Sequence, residues 1–476
     1  MRKKKKKLFG FLRKGKRSIE TNNKESVIRE EIGQEEKIEE VSKKKIDKKE
    51  LKKKKKIKKE KIKKVIVEYN KENEIKHDEK KESIFSKLKR LKKRRLALLI
   101  IVSIIVILLL IFTALYMGNE DFRRYADLNI FNKLATEENL KKIDIQSVGY
   151  ANSYENNYNT FLYEDKICTL NNNTLNIYNN EGNKEKSLKI EISTPEVKTC
   201  ENRFIIAEKY GNKVYMIFAG EIIWEKELNG YISKININKN GYTSIVLSGT
   251  TYKSVIYLFD STGEEVFRSY ISNSVVVDTD ISEDNKYLAY AEVNTTGTLI
   301  ESNVKVISIE EAKKNPERAI TYTYEGESDK LITQIKYQGS NIVCLYDDKI
   351  IIIKNNQEEK VLVNTKEDNI IFADINLLND VVVVKELNKD DKALTRVEII
   401  NSSSGSINAY NIEGASKSLN VYKDKIIVNL GAEIYIINTR GWLVKKFVTE
   451  QDIGLIEASN KILAIIDRNQ IKILDI

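Results

Sequence analysis

The chain has 476 residues, with 81 Lys and Arg against 70 Asp and Glu, a formal net charge of +11 and 41% hydrophobic residues. One His and three Cys leave no material for a His-cluster metal centre or a cysteine-stapled secreted scaffold. The net charge hides two compartments: residues 1–95 carry 39 basic and 17 acidic side chains, and the remainder carries 42 and 53.

The head opens with Arg2, Lys3, Lys4, Lys5, Lys6 and Lys7, then Leu8-Phe9-Gly10-Phe11-Leu12, and returns to charge at Arg13 to Arg17. A basic cluster wrapped around Leu and Phe is drawn to anionic lipid head groups, at about 1 kcal/mol per cation near the surface. A second cluster, Lys87, Lys89, Arg90, Lys92, Lys93, Arg94 and Arg95, repeats the pattern, so these thirteen residues are the expected membrane-surface contacts. Between them Lys43 to Lys64 alternates Lys blocks with single Ile, Leu and Glu residues, which predicts a self-repelling, largely disordered segment. Tyr69 is the only Tyr or Trp in the head. Stacking platforms for nucleic acid are therefore missing, and that partner is disfavoured. His77 stands among Lys and Glu and reads as solvated.

Leu96 to Met117 is 22 residues without a charge, Pro or Gly. Apolar on every face and roughly 33 Å long as a helix, it predicts a transmembrane span. Its position behind a 95-residue head and the absence of a small-x-small motif argue for an uncleaved signal anchor. The basic N-terminal flank predicts a cytoplasmic N-terminus and an extracytoplasmic C-terminal part. Past the span, Phe122, Tyr125, Leu128, Phe131 and Leu134 recur at helical spacing, predicting a short amphipathic helix within residues 118–142, either a juxtamembrane helical stalk or one packed beneath the C-terminal domain. Thr136-Glu137-Glu138 is a cap for a further turn.

From Ile143 to the C-terminus the period is that of strands: short Ile-, Val- and Tyr-rich runs between Asn, Asp, Gly and Ser turns. A unit recurs of two apolar residues, Asn or Asp, a turn closing on Gly, and another apolar run. It stands at Tyr178 to Gly182, Leu258 to Gly263, Ile400 to Gly405 and Ile436 to Gly441. Turns near 182, 220, 263, 311, 357, 405 and 441 are spaced by 38, 43, 48, 46, 48 and 36 residues, the range of four-stranded propeller blades. The prediction is an all-β propeller of eight such blades over 143–476, seven being the alternative. Its last unit has three strands, and Ile143 to Val148 is placed to supply the fourth, closing the ring and removing exposed edges.

Leu258 to Phe267, LFDSTGEEVF, and Gly220 to Glu225 resemble the repeat of quinoprotein-type (PQQ-like) propellers. With the anchor, the chain resembles an uncharacterised family of single-pass bacterial envelope proteins carrying such a domain. The resemblance implies the architecture. It does not imply the quinone cofactor, because only Trp224 and Trp442 remain and, of the four recurring turns, Thr-Gly survives only at Thr262-Gly263; no cofactor is expected.

The single His lies in the head, so the C-terminal part cannot form a Ser-His-Asp triad. Cys168, Cys200 and Cys344 have no C-x-x-C spacing. Cys168 and Cys200 fall in neighbouring units, where either a disulfide or two buried thiols is open. Asp278 to Glu283 begins like a calcium loop but lacks Gly at the sixth position and Glu at the twelfth, so its acids read as hairpin acids. The expectation is a non-enzymatic envelope scaffold or ligand-binding module at the cell membrane, with an envelope protein or cell-wall polymer as partner. An envelope glycan hydrolase using channel carboxylates is the alternative, and a transmembrane sensor the third.

Overall fold

The computed structural model describes residues 96–144, 160–171, 173–354, 358–364, 369–389, 392–466 and 470–476. They fall into two units that divide between Thr113 and Ala114. The described part of the first unit, residues 96–113, belongs to the helix Leu96–Gly118, which is 23 residues long with none of its apolar stretch buried. At ~1.5 Å per residue it reaches roughly 35 Å, enough to cross a hydrocarbon core of ~30 Å. The expected disordered head, residues 1–95, lies outside the described residues.

In the second unit, antiparallel four-stranded sheets follow one another along the chain. Blades I to VII span residues 160–189, 195–227, 231–271, 275–325, 332–364, 370–413 and 418–448. Blade VIII takes three strands from residues 455–475, and its outermost strand is Lys141–Asp144, antiparallel to Gln470–Asp475 with Lys141 opposite Ile473 and Asp144 opposite Gln470. The propeller therefore has eight blades. The closing strand starts two residues before Ile143, and Ile145 to Val148 lie outside the described residues.

Burial explains the sequence pattern. The second and third strands of a blade are covered on both faces, so they read as unbroken apolar runs, as in the fully buried Phe204-Ile205-Ile206-Ala207 and Val381 to Val384. Each blade packs on the next through an apolar cluster. Phe161 and Tyr163 of blade I meet Phe204 of blade II edge to face, with centroids at 5.2 and 4.9 Å. Leu162 and Ile167 of blade I also pack with Ile462, Ala464, Ile471 and Ile473 of blade VIII, which closes the circle.

The recurring Asn or Asp is a turn device. Asp260 Oδ1 accepts from the backbone N–H of Thr262 and Glu264 at 2.8 and 3.0 Å, and Asn179 and Asn438 hold the turns after them in the same way. These turns join the third strand to the outermost. Gly263 closes one at φ +84°, where a Cβ would stand 2.6 Å from Trp224 Cγ. Trp224 of blade II thus docks on the turn of blade III. In blade IV the turn near 311 is instead a short helix, Ile309–Ala312, followed by a 3-10 turn, Pro316–Arg318.

The segment after the long helix is helical only in its first part. A helix over Glu120–Tyr125 passes into a π turn, Ala126–Ile130, and stops; Asn132 then takes φ +49°. Leu134–Ala135 pairs parallel with Lys446 and Phe447, adding a fifth strand to blade VII. Thr136 caps the turn Glu137–Asn139, as its sequence predicts. Of its apolar residues Leu128 packs against the cluster between blades VI and VII, while Tyr125, Phe131 and Leu134 stay exposed, so the spacing does not mark one buried helical stripe. Buried Asp127 anchors it: Tyr116 donates to Asp127 Oδ1 at 2.7 Å, and Lys133 Nζ donates to the same oxygen at 2.6 Å and to the Leu443 carbonyl at 2.5 Å. The segment is bound to the propeller and is not a free stalk.

Candidate functional site

The innermost strands surround a cavity of about 990 Å3 along the propeller axis, to which every blade contributes. Blade II supplies Lys198, blade III Asn236, blade IV Asp280, blade V Lys336, blade VII Asn420 and blade VIII Glu457. Amide side chains link neighbouring blades across this wall. Asn236 Nδ2 donates to the Thr279 carbonyl at 2.5 Å, and Asn420 Nδ2 to the Ile456 carbonyl at 3.2 Å.

Two buried carboxylates are held in place. Asp280 accepts from the Tyr337 N–H at 2.7 Å and from Asn236 Nδ2 at 2.9 Å, and pairs with Lys336 at 3.2 Å. Asp278 accepts from the Ile335 N–H at 2.9 Å and faces Lys234 at 3.4 Å. The charge of Asp280 holds the Lys336 ammonium above its ordinary range. Burial still outweighs Lys234 at Asp278, whose carboxyl is pushed up. The reading of these two as hairpin acids is corrected: they lie on the inner strand Val275–Ile281, and the hairpin is formed by the residues after it. Their neighbours are lysines and backbone N–H groups, and no group of His, Cys, Asp and Glu able to hold a metal occurs among the described residues.

Lys198 and Glu457 are different. Lys198 is open to the water of the channel yet walled by protein, so desolvation, aided by the charge of Lys234, lowers its pKa. Glu457 is raised to about 7 by burial alone. Among the described residues neither makes a hydrogen bond or an ion pair. At one end of the channel Lys423 of blade VII reaches Glu201 of blade II at 3.4 Å, over the turns of blades VIII and I.

A second surface lies where the loops between blades and the turns between second and third strands come together. Tyr210 and Tyr231 are 69% and 58% exposed, and Tyr252 and Tyr270 pair with ring centroids at 4.7 Å. Gly249, at φ +71°, leaves room for Tyr231, since a Cβ there would stand 2.5 Å from the ring. Val275, Leu299 and Ile300 extend this exposed patch onto blade IV.

The expected membrane contacts, Arg2 to Lys7, Lys87, Lys89, Arg90 and Lys92 to Arg95, lie outside the described residues. Cys168, Cys200 and Cys344 are free thiols, the first and last fully buried. The channel groups escaped sequence reasoning because a lone Lys or Glu in a short strand has no motif around it. The available signal was a charge in mid-strand, as in Glu196-Val197-Lys198 and Ile335-Lys336-Tyr337, where an outward polar residue of an inner strand must face the axis.

Residues 136–476 match the model of a family of unknown function, DUF5711. No curated protein matches the chain. Among solved structures it is similar to BamB from Moraxella catarrhalis, at 11% identity and TM-score 0.43, over 70% of this chain and 98% of that one. It is also similar to apo AztD from Citrobacter koseri, at 11% and 0.39 over 62% and 86%. A third is Raptor from Chaetomium thermophilum, at 9% and 0.38 over 70% and 28%.

Proposed function

For a chain that belongs to the DUF5711 family, whose function is unknown, we propose the role of a membrane-anchored envelope scaffold whose propeller docks a protein partner outside the cytoplasm. The observation that carries this reading is the tyrosine face of blades II to IV. Tyr combines a large rigid apolar area with a polar tip and few rotatable bonds, which makes it a recurrent anchor in recognition surfaces. The helix Leu96–Gly118 serves as the anchor, and the basic clusters of the head engage anionic lipid on the cytoplasmic side.

Hydrolysis of an envelope glycan is the second reading, favoured by Glu457, whose carboxyl at about 7 has the protonation of a general acid. It stands second because Asp278 and Asp280, the buried acids of the channel wall, are already engaged by lysines and backbone N–H groups.

A photoreactive phenylalanine analogue placed at Tyr252 or Tyr270 in living cells tests the docking face. The expected result is a discrete cross-linked protein at both positions and none from Ile407 on blade VI, which is more exposed than either. Cross-linking that is absent, or the same at Ile407, contradicts the reading. Soluble sugar released from wall glycan by the purified chain and lost in Glu457→Gln favours the hydrolase instead.

A further inference from the structure

We propose that the axial channel binds a short peptide by its two free ends, Lys198 taking the carboxylate and Glu457 the ammonium. The site is separate from the tyrosine face and does not depend on the docking role proposed for it.

The argument starts from which charges are already satisfied. Asp280 and Lys336 neutralise each other, and Asp278 is met by Lys234 and a backbone N–H. Lys198 and Glu457 line the same cavity and have no hydrogen-bond or ion-pair partner among the described residues. The other charged residues that line the cavity, Glu201, Lys239, Asp280, Glu283, Lys336, Lys423 and Asp452, are all ion-paired, so Lys198 and Glu457 are the two charges of the wall left for a ligand to engage. Opposite charges on one ligand do so, and a zwitterion is the class that carries them.

Spacing narrows the class. The two groups stand on blades II and VIII, with the inner strand Thr160–Tyr163 of blade I between them. The ammonium and carboxylate of one α-amino acid share a single carbon, whereas groups on two non-adjacent blades are best met by ends that can separate. A peptide of a few residues, extending at ~3.3–3.6 Å per residue, has such ends. A cavity of about 990 Å3 is of the size that encloses such a ligand.

Protonation supplies an independent handle. Blade I presents no titratable group to Glu457 from Thr160, Phe161 or Leu162. Blade VII presents Asn420, Tyr422, raised to about 12, and Lys423, which is bound to Glu201. Across the channel stand Lys198 and Lys336, the latter held by Asp280. Burial alone lifts Glu457 to about 7, so below that pH the carboxyl is neutral and a poor partner for an ammonium. Affinity for a peptide cation therefore rises as pH increases from 6 to 8.

The test is calorimetric titration of the full chain in detergent micelles with trialanine, N-acetyl-trialanine and trialanine amide. Trialanine is expected to bind saturably, with each blocked form weaker by about tenfold or more. Glu457→Gln should bind trialanine and its acetylated form alike and lose the rise between pH 6 and 8. Lys198→Met should no longer distinguish the amide, and Lys198→Arg should restore that distinction. Comparison of the free and blocked peptides on the unaltered chain needs no variant to fold. Absence of saturable binding by trialanine, or equal binding of the blocked peptides, overturns the proposal.

Discussion

Removal of Leu134 to Asp144 from the full chain is expected to lower the unfolding midpoint by roughly 10 °C or more and to make the protein self-associate. Two strands leave with this segment. Leu134–Ala135 covers the outer edge of blade VII, and Lys141–Asp144 completes blade VIII. Ala135 is buried in the cluster that also holds Phe447, Ile456 and Leu463. The lost backbone pairs, at about 1 kcal/mol each, together with the apolar area uncovered, amount to several kcal/mol. The larger consequence is the unpaired edge of Gln470–Asp475, a third strand of the kind that every other blade covers with an outermost one. Thermal unfolding monitored together with light scattering reads both effects. An unchanged midpoint and a monodisperse product would mean that this segment does not close the ring.

Asp280→Ala is expected to cost about 3–5 kcal/mol, more than any exposed ion pair in the molecule. One carboxylate joins three blades, through Asn236 of blade III, its own strand in blade IV, and the Tyr337 N–H and Lys336 of blade V. Its loss leaves Lys336 charged and without a counter-ion in the channel wall, and leaves a buried N–H without an acceptor. Adding Lys336→Met should recover a large part of the loss, because the stranded charge is removed with its partner. Denaturant unfolding of the four proteins in the cycle measures the coupling. Additive losses in the double variant would show that the pair is not a unit.

The sequence carried the architecture because the propeller repeats its physical solution. The turns after the third strands of blades I, III, VI and VII use an Asn or Asp acceptor and a left-handed Gly, so the same short pattern recurs at multiples of the blade spacing and can be counted. Doubly covered strands are apolar without interruption, and the three-stranded last unit shows that a strand is missing. Other features depend on contacts that no local pattern records. The segment after the long helix has helical spacing, yet Asp127 and Lys133 bind it to blade VII and part of it becomes a strand. Lys198 and Glu457 are 259 positions apart in the chain and share a cavity only because the ring closes. Asp278 and Asp280 adjoin a hairpin in sequence, and only the register of the inner strand brings both onto blade V and Asp280 onto the channel. The tyrosines were legible as an abundance, but their gathering on blades II to IV was not.

Placement of the propeller outside the cytoplasm is the premise on which the scaffold reading depends. The most direct measurement of it is labelling of intact spheroplasts with a membrane-impermeant maleimide, using Tyr210→Cys on the exposed tyrosine face and His77→Cys in the head, each against the unaltered chain as baseline. The account predicts that Tyr210→Cys is labelled from outside and that His77→Cys is labelled only after lysis; labelling of His77→Cys on intact spheroplasts with Tyr210→Cys protected would contradict it.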